Sequence, residues 1–281
     1  MPNLVVPFTK MHGAGNDFIV VDNRFLHFTR DELADLARRF CPRRFGVGAD
    51  GLLALSPAEE DGVDYRMDYH NPDGSRAGMC GNGARCLARF ARAAGLTAEP
   101  LTFQSDDGMY RVSVPAAADA PVRLFVPPPK RFDAERALEA GGSVPYVWTG
   151  TDHTVVFVRD VATANVDKIG PRIRRDPALA PEGANVNFVQ ILDASADDGG
   201  ARVQIRTFEK GVEAETLACG TGALAAAVVA RLMDRVDGET VEVVARGGTL
   251  RVGFAINEHA HVRDLWLEGP AETVYQGTLE V

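Results

Sequence analysis

Two short stretches place a cysteine where it could do chemistry: "GMCGNGARC", Gly78 to Cys86, and "ACGTGALA", Ala218 to Ala225. Both read Cys-Gly-x-Gly-Ala, and both stand just where an alanine-rich helix is expected to start. The first amides of a helix have no intrahelical acceptor and point, with the positive end of the dipole, at whatever lies beyond the N-terminus. A thiolate there is stabilised, so a cysteine ionises more readily. Flanking glycines let a ligand come close to the backbone. Each stretch is therefore a small anion pocket with a thiol at its lip.

One such pocket suits a cysteine nucleophile, with a histidine as base; His70 and His153 are the candidates. A nucleophile needs only one pocket, and this chain has two. Two thiols on opposite sides of one substrate carbon suit another reaction. The thiolate removes a proton from one face, the thiol returns one to the other, and a stereocentre inverts without a cofactor. The two helix starts, Gly81-Asn82 and Gly220-Thr221, would hold the carboxylate on which charge grows as the α-proton leaves.

The elements that must position these cysteines recur in order. "GNDFIVVDN" from Gly15 matches "TDHTVVFVRD" from Thr151, and "GADGLLAL" from Gly48 matches "NVNFVQIL" from Asn185. Cys80 matches Cys219, and "GMYRVSV" from Gly108 matches "GTLRVGF" from Gly248, all at nearly one spacing. Such self-similarity indicates duplication. A capping box, Thr29-x-x-Glu32, starts a helix at about Asp31 to Phe40. A second helix runs from Gly81 toward Gly95, and a third follows Cys219. Asp107-Gly108 and Gly247-Gly248 read as hairpin turns. Prolines 127 to 129 mark a linker. The expected fold is α/β of the α+β type. It has two pseudo-symmetric lobes, each a mainly antiparallel β-layer wrapped around a central helix, with the active site in the cleft between them. The expected division is residues 1–121 plus 268–281 for one lobe and 122–267 for the other.

The bulk numbers exclude other classes. The chain has 281 residues, 46% hydrophobic and 25% charged, with a formal net charge of −9. That balance argues against a nucleic-acid or anionic-membrane partner, both of which need a basic face. The start shows no signal peptide and the apolar runs are too short to span a bilayer, so a cytoplasmic location is expected. In a reducing compartment the four cysteines, Cys41, Cys80, Cys86 and Cys219, are chemical or buried rather than bridged. Cys80 and Cys86 lack knuckle spacing and the six histidines are scattered, so no metal is expected. "GAGNDF" precedes a strand and lacks a third glycine, which excludes a dinucleotide fingerprint. Cys41 and Cys86 read as core.

Taken together, "KMHGAGNDF", "FGVGADGLL", "NPDGSRAGMCGNGARC", "GANVNFVQ" and "RTFEKGVEAETLACGTGA" resemble, in order and over essentially the whole chain, the diaminopimelate epimerase family. The resemblance implies an isomerase that needs no pyridoxal phosphate or other cofactor. It would interconvert LL- and meso-diaminopimelate for lysine and peptidoglycan precursor synthesis; a homodimer is expected only as the commonest soluble oligomer. It implies that Cys80 and Cys219 are the acid–base pair and that Gly81, Asn82, Gly220 and Thr221 bind the reacting carboxylate. Asn16, Asn71 and Asn185 would contact substrate, the last two at its distal end, and Glu209 would lie against an amino group. His153, Thr151 and Asp50 would support the site. Three positions depart from the pattern. Lys210 replaces a frequent arginine, so the distal carboxylate meets a point charge rather than a planar fork. Gly51 replaces a frequent glutamine, and Thr151-Asp152-His153 replaces Asn-Pro-His. The rivals are a sister cysteine-pair racemase, a single-thiol hydrolase or transferase, and a binding protein without turnover.

Overall fold

The computed structural model describes residues 4–195, 200–259 and 261–281. The chain divides into two compact units, Met1–Phe125 with Gly269–Val281, and Val126–Glu268. Within the first unit the strands are β1 (Val5–Gly13), β2 (Asn16–Asp22), β3 (Gly51–Ser56), β4 (Tyr65–His70), β5 (Arg76–Ala77), β6 (Leu101–Ser105), β7 (Gly108–Ser113) and β8 (Val122–Phe125). Its helices are α1 (Asn23–Leu26), α2 (Arg30–Phe40) and α3 (Gly81–Ala93). The second unit holds β9 (Lys130–Ala137), β10 (Ser143–Trp148), β11 (Asp152–Phe157), β12 (Asn185–Asp193), β13 (Ala201–Glu209), β14 (Ala214–Thr216), β15 (Thr240–Ala245), β16 (Gly248–Ile256) and β17 (Val262–Gly269). Its helices are α4 (Val166–Arg174) and α5 (Gly220–Leu232); the last strand, β18 (Glu272–Glu280), returns to the first unit and pairs with β1.

The two units have one topology. In the first, β1–β2 is antiparallel, β2–β3 parallel, β3–β4 and β4–β5 antiparallel, β4–β6 parallel, and β6–β7–β8 antiparallel. The second repeats that series, step for step, from β10 to β17. β18 flanks β1 as β9 flanks β10. Each parallel step needs a crossover, and helices supply it. α2 and α4 serve the first crossover of their unit, and α3 and α5 the second.

The central helices are enclosed by their own strands. α3 packs on β1, β2, β3 and β8, and α5 on β10 to β13, β15 and β16. α5 is buried from Gly222 to Ala230, as its alanine-rich sequence requires, because large side chains would hold the strands away. β3, "GLLALS", is buried at every position, the mark of a strand covered on both faces. α2 carries the capping box: Thr29 Oγ1 accepts from the Glu32 N–H, and Glu32 accepts from the Thr29 N–H at 2.7 Å.

Three readings shift by register. Phe18 stands opposite Gly51 as His153 stands opposite Asn185, so Asn16, not Gly15, is the counterpart of Thr151. Leu52 stands opposite His70 as Val186 stands opposite Phe208, so Gly51, not Gly48, is the counterpart of Asn185. The hairpin turns are Asp106-Asp107 and Arg246-Gly247. Ser105 pairs with Gly108 and Ala245 with Gly248, so those glycines open the return strands, at φ of +130° and +146°. No helix among the described residues is long and apolar enough to cross a membrane.

Candidate active site

Cys80 and Cys219 are the N-caps of α3 and α5, with nearly identical backbones: φ −116°, ψ 117° and φ −118°, ψ 113°. Their carbonyls accept the first helical bonds, from Ala84 at 2.7 Å and Ala223 at 2.9 Å. Neither thiol makes a capping hydrogen bond to the backbone of its own helix. Both are part-exposed, whereas Cys41 and Cys86 are buried. Burial pushes the Cys41 and Cys86 thiols up to about 12, which makes them inert filler.

The pairing registers set the remaining residues at matching positions in the two units. Phe18 faces Gly51 as His153 faces Asn185, so Asn16 and Thr151, two residues earlier, correspond. Asn71 follows His70 as Glu209 follows Phe208, and Asn82 and Thr221 are each second after their cysteine. The residues singled out from sequence thus fall on one set of topological positions used twice.

In the first unit Cys80 Sγ lies 3.6 Å from Asn16 Oδ1, which also accepts from Asn82 Nδ2 at 3.3 Å. Asn16 Nδ2 donates to Asp50 Oδ2 at 2.7 Å. Asp50 takes Arg43 at 2.8 Å, and Arg43 and Lys10 both pair with Asp17. Burial works to raise the Asp17 carboxyl, but hydrogen bonds from Arg43 and Lys10 outweigh it and hold it at about 2. Asn71 belongs to a tight turn: its side-chain amide donates to Ser75 Oγ at 3.0 Å, and its carbonyl accepts from Gly74. A Cβ on Gly51 would stand 2.5 Å from the Tyr69 ring and 2.8 Å from the His70 carbonyl oxygen. Tyr69 therefore occupies the space that a longer side chain at 51 would need.

In the second unit Cys219 Sγ lies 3.5 Å from Thr221 Oγ1, and the Thr221 carbonyl accepts from Thr149 Oγ1 at 2.9 Å. Thr151 sits in the same turn, its carbonyl bound by the Thr149 N–H. Asn185 Oδ1 accepts from the Lys210 N–H at 2.7 Å. His153 is fully buried, with Asn185 Nδ2 at 3.4 Å from one ring nitrogen and Asn187 Nδ2 at 3.1 Å from the other. Burial, reinforced by Lys210, lowers the imidazole to about 3. A neutral ring keeps one N–H, so it accepts from only one of these amides. His153 is thus a neutral brace under Asn185. Glu209 accepts from Thr216 at 2.8 Å, and burial raises its carboxyl above the usual range despite that bond. Lys210 Nζ is 3.9 Å from Asp152, which also holds Arg131 at 3.0 Å and the Tyr146 hydroxyl. Arg206 is tied to Glu215 at 2.7 and 2.6 Å and is committed there.

Sequence reading passed over Asn187, Arg43, Arg85 and Asp152 as structural partners. One signal was present: Asn185 and Asn187 alternate along a strand and so share a face. The ion pairs join distant stretches and leave no local mark. Among the described residues no group of three or more His, Cys, Asp or Glu is gathered as metal ligands.

The sequence profile described as Diaminopimelate epimerase matches residues 8–124 and 146–274, one stretch in each half. The diaminopimelate epimerase of Chlorobaculum tepidum is 41% identical over 96% of this chain and 99% of its own. That of Methanothrix thermoacetophila is 41% identical over 97% and 95%. The fold recurs in solved structures of low identity. A Bacillus anthracis phenazine biosynthesis protein of the PhzF family matches at a TM-score of 0.75 and 16% identity, covering 99% of this chain and all of that one. A hydroxyproline epimerase from Agrobacterium vitis matches at 0.65 and 18%, covering 99% and 92%. Paired cysteine caps on a twice-used topology, together with profile matches in both halves and full-length identity to named relatives, place this chain in the diaminopimelate epimerase family.

Proposed function

We propose that this protein inverts one α-carbon of diaminopimelate, interconverting the LL and meso forms, with Cys80 and Cys219 as the two proton-transferring thiols. The observation that carries the reading is the matched pair of helix N-caps, each with a part-exposed thiol and a Gly-x-Gly backbone behind it. One cysteine as thiolate takes the α-proton while the other as thiol supplies a proton to the opposite face. The pair titrates as a unit. The amides at Gly81-Asn82 and Gly220-Thr221 meet the charge that builds on the α-carboxylate.

The rest of the substrate carries a second ammonium and a second carboxylate. Asn71 and Asn185 offer neutral amides to that distal end and Lys210 a cation, shared with Asp152. Glu209 offers the anion for an ammonium group. Asn16 contacts the substrate beside Cys80, and Thr151, Asp50 and His153 support the contacts. The reading has the enzyme work without cofactor in the cytoplasm, on the route to lysine and peptidoglycan precursors. It also has it work as a homodimer, the commonest soluble oligomer.

The test is incubation with LL-diaminopimelate in deuterated water, under reducing conditions, without added pyridoxal phosphate or metal. The expected result is meso-diaminopimelate carrying α-deuterium. Exchange on proline or hydroxyproline instead would assign a sister racemase. A covalent acyl-enzyme would assign a one-thiol enzyme, and binding without exchange a scaffold lacking the chemistry.

A further inference from the structure

Asn16 and Asn82 each carry an amide that can present either an oxygen or an NH2 group to a neighbour. Around Cys80 the choice is consequential, because an oxygen accepts from a thiol whereas an NH2 donates to a thiolate. Four side chains form a continuous chain there. Arg85 Nη2 donates to Asn82 Oδ1 at 2.7 Å. Asn82 Nδ2 donates to Asn16 Oδ1 at 3.3 Å, and Asn16 Nδ2 donates to Asp50 Oδ2 at 2.7 Å. The Cys80 thiol meets the chain at Asn16 Oδ1.

The two ends have opposite and fixed polarity. A guanidinium only donates and a carboxylate only accepts. If either amide turned over, donor would face donor at one end or acceptor face acceptor at the other. Both ends are themselves anchored. Arg85 is fully buried in α3, and its other nitrogens donate to the carbonyls of Gly81 at 3.1 Å and Pro270 at 3.4 Å. Its three acceptors are all neutral oxygens. Asp50 is held by Arg43 at 2.8 Å and by the Asp17 N–H at 3.2 Å. Arg85 is fully buried, so an unpaired polar group at that end is costly, while at the other end Asp50, whose side chain is 43% exposed, is fixed by Arg43 and the Asp17 N–H.

We propose that Asp50 and Arg85 are positioning residues that bracket Asn16 and Asn82, fixing the polarity of both amides so that an oxygen, not an NH2, faces the Cys80 thiol. The proposal rests on the reading of Cys80 as a proton-transferring thiol. Asp50 and Arg85 act through the asparagines. The consequence is that Cys80 is favoured as the thiol, the form that gives a proton. Releasing the bracket lets Asn16 turn and offer N–H to sulfur, which favours the thiolate.

The measurement is the pH dependence of Cys80 alkylation by iodoacetamide in the full chain, read by peptide mass spectrometry in a Cys219→Ser background. Charged and titratable groups on the adjoining elements are Arg85 and Cys86 of α3, Asp17 and Lys10 of β2 and β1, Glu272 of β18, and Asp107, which accepts from the Met79 N–H. All are kept constant while Asp50 alone changes. Asp50→Asn is expected to lower the alkylation midpoint by about half a pH unit or more, a shift within reach of one hydrogen bond. Loss of the Asp50 charge acts in the same direction, so a double-mutant cycle separates the two effects. With Asn16→Ala present, Asp50→Asn is expected to give only the smaller shift that loss of the carboxylate charge causes by itself. An equal shift in both backgrounds, or none in either, overturns the Asp50 end. For Arg85, the part of the Arg85→Gln shift that vanishes with Asn16→Ala is the part carried by the amides. Its full persistence there overturns the Arg85 end. Arg85→Lys keeps a donor-only end and is expected to restore the parent midpoint, which covers the case in which Arg85→Gln does not fold. Alkylation needs no turnover. Failure of the bracket is therefore separate from failure of the epimerase reading, which the deuterium assay decides.

Discussion

At the scale of single residues, the same amino acid has opposite chemistry in different places. Cys41 and Cys86 sit in the core, where burial holds the proton on sulfur at about 12. Cys80 and Cys219 stand part-exposed at helix starts. Cys80→Ser or Cys219→Ser should therefore lower epimerisation by roughly 10²–10⁴-fold, the usual weight of a general acid or base, with the fold intact by circular dichroism. Cys86→Ser should leave the chemistry in place, and near-normal turnover of either cap variant would remove the two-base scheme. His153 makes a second, thermodynamic prediction. Its folded value of about 3 lies below the ordinary histidine value of 6.5, so unfolding takes up a proton between those limits. Its contribution is present above pH 6.5 and is lost as pH falls toward 3. One proton corresponds to a slope of at most ~1.4 kcal/mol per pH unit. Replacing His153 with Gln should flatten the pH dependence of urea unfolding by up to that amount between about pH 6 and 5. An unchanged slope would mean that the imidazole titrates normally.

At the scale of elements, the two central helices begin alike but tolerate change differently. Gly83 and Gly222 are each third after their cysteine cap. A Cβ on Gly83 would meet Leu53 methyls at 3.2 and 3.4 Å, the mobile ends of an aliphatic side chain. One on Gly222 would stand 2.5 Å from Asn187 Oδ1 and 3.3 Å from both Thr207 Oγ1 and Cys219 Cβ. Asn187 cannot yield easily, because it is bonded to His153, Thr154 and Thr207. Gly222→Ala should cost about 1–3 kcal/mol of stability and reduce kcat, whereas Gly83→Ala should cost less than half as much. Comparable losses at both sites, in chemical denaturation and kinetics, would show that the cap does not depend on the Asn187 network. The elements also mark where sequence stops being legible. The cysteine-capped helices, the α2 capping box and the duplication were readable, because each rests on local pattern or on repetition. α4 was not, because it carries Pro171 inside it, and proline normally argues against a helix interior. Gly170 beside it has a tertiary cause: a Cβ there would lie 2.6 Å from Phe208. The site's asparagines were readable as turn or substrate residues. The partners that orient them, Arg43, Arg85 and Asp152, were not, since charge pairing across the fold has no signature in neighbouring residues.

At the scale of the whole molecule, duplication explains why the site residues are paired but not identical. Topology and register repeat, and so do the positions Asn16/Thr151, Gly51/Asn185, Asn71/Glu209 and Asn82/Thr221. The backbone thus repeats one cysteine-capped helix start in each unit. On the proposed function, the side chains differ because the two substituents that diaminopimelate presents on either side of the reacting carbon differ. Even the supports diverge in kind: Asp17 pairs with Lys10 and Arg43, while Asp152, two residues before Thr154 as Asp17 is before Ile19, takes Tyr146, Arg131 and Lys210. Two-base chemistry makes a demand on the assembled molecule that neither unit meets alone: both sulfurs must reach one carbon. A short bis-electrophile such as dibromoacetone, whose two reactive carbons flank a single carbonyl, should accordingly join Cys80 to Cys219 within one chain. Diaminopimelate should protect against the cross-link, and the linked protein should be inactive. Tryptic mapping that found each thiol modified separately, with no linked peptide at any pH, would assign the two pockets to independent tasks and return the single-thiol enzyme to first place.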